Sequence, residues 1–92
     1  MTTIDESVTT PAPGEQILAL RNRIDQLDAS IIALWRERSE LSRRMGGLRV
    51  AAGDTRVVLV HELAVLRQFR AGLGPDGAGL ALLALKSGRG SP

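Results

Sequence analysis

The sequence predicts an all-α protein, and three observations carry that reading. From Ile17 to Leu48 large apolar residues recur at alternating three- and four-residue steps: Ile17, Leu20, Ile24, Leu27, Ile31, Leu34, Leu41, Met45 and Leu48. The apolar content of 43% is almost wholly aliphatic, with one Trp, one Phe and no Tyr, which suits interlocking helices better than a sheet core. Two turn-forming stretches, Ala52-Gly53-Asp54-Thr55 and Gly72 to Gly77, divide the C-terminal half of the chain into two shorter helical segments.

Residues 1 to about 13 are Thr-, Pro- and acid-rich without periodicity and read as a disordered arm ending at Pro11 and Pro13. A first helix is expected from about Gly14 to about Ala51, roughly 55 Å long at a rise of about 1.5 Å per residue. One chain of 92 residues has too little material to cover so long a stripe. Either a second copy lies antiparallel against it or the remaining helices fold back along it. Gly46 and Gly47 inside this helix cost about 1 kcal/mol each relative to Ala, which fits a close backbone approach, a nearby ligand or simple tolerance near the helix end.

Asp54 or Thr55 is the expected N-cap of a second helix, about Thr55 to Ala71. Its stripe is Leu59, Leu63 and Leu66, with Val58, Val65 and Phe69 beside it. Gly72 is placed to close it and Asp76 to open a third helix, about Ala78 to Lys86. That helix is nearly all apolar (Leu80, Leu82, Leu83, Leu85) and is expected to pack on the others. Residues 87–92 read as a flexible tail, so residues 14–86 form one helical domain.

Net charge is only +2, yet eleven of the twelve basic residues are arginine. That bias favours forked recognition of carboxylate or phosphate. Interleaved acids argue against nucleic acid as the partner. There is no cysteine, hence no disulfide or thiol chemistry. No basic-then-apolar leader and no apolar run near the roughly 20 residues of a membrane span are visible, so the expectation is a soluble cytoplasmic protein.

Arg38 breaks the apolar repeat: it occupies the seam position between Leu34 and Leu41. A guanidinium cannot deprotonate, and a cation in a helix seam is costly unless an anion meets it. The anion is either a protein carboxylate, in a structural ion pair, or a ligand. Arg49 lies eleven residues on, three turns plus about 20°, and so shares the face of Arg38 about 16 Å away; it either serves the same ligand or snorkels at the helix end. Glu62 interrupts the apolar line Val58, Val65, Phe69 in the same way, either pairing with an arginine or accepting a hydrogen bond from a ligand hydroxyl. Arg21 flanks the seam, about 25 Å from Arg38 along the helix. It is either a solvated arginine or a group that meets Arg38 of an antiparallel second chain. His61 stands without the companions a metal site needs, and no phosphate-binding glycine loop or Ser/His/Asp set supports covalent catalysis. Leu20, Leu27, Leu34, Leu41 and Leu48 form a leucine row, so a plain coiled-coil dimerisation module is the competing reading. Asp5, Glu6 and Glu15 precede it where a DNA-binding zipper would be basic.

The stretch from Ala19 to Asp28 (ALRNRIDQLD), then Ile32-Ala33-Leu34, Glu37 to Leu41 (ERSEL), Gly46 and Arg49 resembles the all-helical chorismate mutases. Gly53 to Arg56, Glu62, Leu73 to Gly77 and Gly88-Arg89-Gly90 are similar to the short actinobacterial intracellular subclass. The likeness spans about Glu15 to Gly90. It implies an intertwined helical homodimer of three-helix chains that rearranges chorismate to prephenate without cofactor, metal or covalent intermediate. By position it implies that Arg21 is donated in trans to a substrate carboxylate, that Arg38 holds a carboxylate in cis, and that Arg49 lies near the ether oxygen. Glu62 would bind the substrate hydroxyl, with Val58 and His61 lining the pocket. It further implies activation by DAHP synthase.

The chain departs from the family pattern in three places. His61 stands where an arginine is common, Gly47 replaces a longer residue, and the tail after Gly90 is Ser91-Pro92. The alternatives are a relative acting on isochorismate, such as a pyruvate lyase, and a non-catalytic helical subunit.

Overall fold

In the computed structural model residues 10–53 and 57–89 are described, with Val57 and Val58 as backbone only. They form α1 (Pro13–Ala52), α2 (Val57–Leu73) and α3 (Asp76–Gly88), with no strand among the described residues. The arm before residue 10, the expected N-cap at Asp54 or Thr55, the Val58 side chain and residues 90–92 lie outside them.

Helix α1 starts where the chemistry of a helix terminus allows. Pro13 fills the first helical position, where its missing N–H is no loss. Glu15 Oε1 accepts from the backbone N–H of Ala12 at 3.2 Å, satisfying one donor that the helix leaves open. The chain divides into two units, residues up to Ile32 and residues from Ala33 onward. In the first, every described side chain is exposed, including the seam residues Ile17, Leu20, Ile24, Leu27 and Ile31. Leu34, Leu41 and Leu48 in the second unit are exposed as well, at 64%, 52% and 71%. Among the described residues the apolar seam of α1 is therefore largely exposed, with Met45 its half-buried member.

The core lies in the second unit, between α2 and α3. Val65, Ala81 and Leu85 are buried, with Leu66 and Phe69 packed against them. Helix α3 packs on its neighbours as expected, though through few of its leucines. Leu80, Leu82 and Leu83 are exposed, and the buried face is Gly77, Ala81, Ala84, Leu85 and Gly88. These residues recur at helical spacing and are mostly small, so backbones meet where leucines would hold them apart. A Cβ on Gly77 would collide with the Phe69 carbonyl, and one on Gly88 with the Ser42 side chain.

Helix ends also differ from expectation. Gly72 is helical; α2 closes at Gly74, which adopts φ +79° and donates its N–H to the Arg70 carbonyl at 2.8 Å. Asp76 does open α3, as its first helical residue after Pro75, with no side-chain cap. Helix α3 continues two residues past Lys86: Ser87 Oγ lies 2.5 Å from Ser39 Oγ, and Gly88 is buried against Ser42. Those contacts hold the end of α3 on α1.

Gly77→Ala is expected to destabilise the protein by about 1–3 kcal/mol through overpacking against α2. Gly79→Ala, with nothing within 4 Å of its Cβ position, should be neutral or stabilising by up to about 1 kcal/mol. Urea unfolding monitored by circular dichroism measures both.

Candidate active site

Within the second unit, the last turns of α1 face the start of α2 and the end of α3 across a cleft of about 510 Å³. Met45, Arg49, His61, Glu62, Leu85 and Arg89 are among its lining residues, with Gly46 and Gly47 contributing backbone. A smaller recess of about 210 Å³ is lined by Arg38, Leu41, Ser42, Met45 and His61. Ser42, Met45 and His61 border both spaces, so Arg38, Arg49, His61 and Glu62 are brought to one region.

Arg38 is half-buried, and its position is set by α2 and α3. Its Nη1 donates to the Ala84 carbonyl at 3.3 Å, and its guanidinium carbon stands 5.9 Å from the centre of the Phe69 ring. Both contacts favour a cation without neutralising it. Among the described residues no carboxylate lies within ion-pair distance of it. The structural ion-pair reading of Arg38 therefore has no partner among these residues, and the fork keeps donors for an anion.

Arg49 is also half-buried, and its Nη2 reaches Met45 Sδ at 3.6 Å, a weak contact that leaves the charge available. The arginine does not snorkel away from the cleft but lines it. Glu62 faces the same cleft and accepts from Arg89 Nη2 at 2.5 Å. Arg43, on the rim, pairs with Glu40 at 3.3 Å and donates to the Ser87 carbonyl. Among the described residues the site thus gathers Arg38, Arg43, Arg49 and Arg89 around one lining carboxylate, Glu62, with Glu40 paired to Arg43, and the excess of positive charge attracts anions. Among the described residues no three His, Cys, Asp or Glu side chains cluster as a metal site.

Arg21 belongs to the first unit, is exposed and lines neither space. Arg43 and Arg89 are lining residues that sequence reasoning did not single out. The available signal for Arg89 was the Gly88-Arg89-Gly90 stretch, a point of resemblance to which no site role was given.

The chain is 46% identical over 78 residues to an intracellular chorismate mutase of Mycobacterium tuberculosis, covering 85% of this chain and 73% of the relative. The chain belongs to the chorismate mutase family. A relative of the same name from Mycolicibacterium smegmatis is 46% identical over 71 residues, 77% of this chain and 68% of that one. A solved chorismate mutase from Corynebacterium glutamicum, in non-covalent complex with DAHP synthase and with a bound transition state analog, matches with a TM-score of 0.80. It is 34% identical and covers 89% of this chain and 99% of that one. No protein-family model matches. No helix among the described residues is long and apolar enough to cross a membrane.

Arg38→Leu tests the assignment of the unmatched cation. A hydrophobic residue in the seam should leave the thermal midpoint unchanged or raise it, because a desolvated charge is removed. A large fall in the midpoint in differential scanning calorimetry would mark Arg38 as a structural residue.

Proposed function

We propose that this chain rearranges chorismate to prephenate as an intertwined homodimer, with each site built from two chains. The observation that carries the reading is Arg38: a half-buried guanidinium, aimed by the Ala84 carbonyl and the Phe69 ring, with no carboxylate answering it among the described residues. Chorismate is a dianion that must be held compactly, and as its ether C–O bond breaks the oxygen gains negative charge. The reaction is unimolecular, so orientation and placed positive charge are what a protein must supply.

Arg38 would grip one carboxylate with its fork. Arg49, about three turns along the same helix, would face the ether oxygen, where its charge binds the transition state more strongly than the ground state. Glu62 would accept from the substrate hydroxyl, with His61 on the pocket wall. Arg21 would reach the second carboxylate from the partner chain. The exposed α1 seam supports that last step, since burying each of its Leu or Ile side chains is worth about 1.5–3 kcal/mol. An antiparallel second copy would cover the stripe and bring a distant Arg21 to Arg38. The likeness to a chorismate mutase solved with DAHP synthase supports a complex of this chain with such a synthase. The relatives' name, intracellular chorismate mutase, supports a cytoplasmic location. Residues 14–86 would be the minimal mutase domain, extended by Ser87 and Gly88 of α3.

Purified protein should deplete chorismate absorbance with prephenate as product. Arg38→Ala should lower kcat/KM by roughly a hundredfold or more, as expected for loss of a charge-stabilising donor. Release of pyruvate from isochorismate without turnover of chorismate would replace the reading with the lyase. No turnover of either substrate, with and without a DAHP synthase, would favour a non-catalytic subunit.

A further inference from the structure

We propose that Arg89 is a positioning residue for Glu62, an inference that rests on the reading of Glu62 as acceptor of the substrate hydroxyl. Arg89 is the C-cap residue of α3, its backbone N–H bonded to the carbonyls of Lys86 and Ser87. The preceding turn is fixed to α1 by the Ser87–Ser39 hydroxyl pair, by Arg43 Nη1 donating to the Ser87 carbonyl, and by Gly88 lying against Ser42. The arginine is therefore presented from an anchored helix end.

Its Nη2 meets Glu62 Oε2 at 2.5 Å, and both residues line the cleft. Exposure of the pair is asymmetric: the Glu62 side chain is 21% exposed and that of Arg89 57%. The carboxylate is thus the enclosed, site-facing member, and the arginine holds it from the solvent side.

Carboxylate chemistry gives this contact two effects. Engaging Oε2 limits rotation of a side chain with three free torsions, and it leaves Oε1 as the acceptor for a ligand hydroxyl. Glu62 also shares the cleft with a substrate carrying two negative charges. An uncompensated carboxylate there repels that dianion, and the Arg89 charge offsets the repulsion. Arg43 and Arg49 line the same cleft. Freed of Arg89, Glu62 can turn toward those cations and withdraw them from the substrate.

The test is a double-mutant cycle on chorismate turnover with full-length protein: wild type, Arg89→Ala, Arg89→Lys, Glu62→Gln and Glu62→Gln with Arg89→Ala. Arg89→Ala is expected to lower kcat/KM about five- to twentyfold, mainly through a higher KM, while Arg89→Lys recovers part of the loss. In the Glu62→Gln background, assayed at high enzyme concentration, removing Arg89 should change kcat/KM by less than about twofold, because the two residues act as one unit. An equal loss in both backgrounds, or a gain in activity for Arg89→Ala, overturns the proposal. A fall in helicity by circular dichroism, unrelieved by Arg89→Lys, overturns it in favour of a structural role. Absence of turnover in wild type is a different outcome: it fells the mutase reading, and this inference with it.

Discussion

A permanent charge in an apolar helix seam is the constraint on which the rest of the molecule depends. Desolvating a guanidinium costs several kcal/mol unless its donors are used. Arg38 is relieved only in part, by one carbonyl of α3 and the face of one ring on α2. Those partners are polar or polarisable but uncharged, so they orient the fork and leave its charge. A salt bridge in the same place would have spent the cation on stability. That environment leaves the fork able to meet an anion, which is what the role proposed for Arg38 toward a dianionic substrate requires.

The way α3 meets its neighbours reflects that demand. Gly77, Ala81, Ala84 and Gly88 let its backbone come close to α2 and to the end of α1. Ala84 presents its carbonyl to Arg38 at the same point where its small side chain is buried. A larger residue at any of these positions would lift α3 and carry that carbonyl away. One turn on, Ser87 and Gly88 seat the helix end against Ser39 and Ser42, and Arg89 arrives beside Glu62. Packing and site construction are thus one set of contacts; of the α3 leucines only Leu85 joins the core, while Leu80, Leu82 and Leu83 are exposed.

Much of this was legible in the residues. The three-four repeat marks α1 because aliphatic spacing reports helical periodicity directly, and the break at Arg38 shows because a charge is conspicuous against that background. Glu62 on the line of Val65 and Phe69 is visible for the same reason. The packing face of α3 was not: in a segment where nearly every residue is apolar, hydrophobicity has no contrast, and only residue size distinguishes Gly77, Ala81 and Gly88 from Leu80, Leu82 and Leu83. The closing of α2 at Gly74 in place of Gly72 depends on which of two glycines takes positive φ, and both are able to. The Arg89–Glu62 pair joins residues 27 apart and depends on where α3 ends, which local propensity fixes only to within a residue or two.

In the proposed dimer two chains complete each site, with Arg21 from one and Arg38 from the other. Mixing separately inactive Arg21→Ala and Arg38→Ala proteins, unfolding and refolding them together, tests it directly. Half of the resulting dimers should be mixed, each with one intact site, so chorismate turnover should return to roughly a quarter of the wild-type level, by the symmetry of a two-fold dimer. Recovery no greater than the sum of the two parents would contradict a site shared between chains.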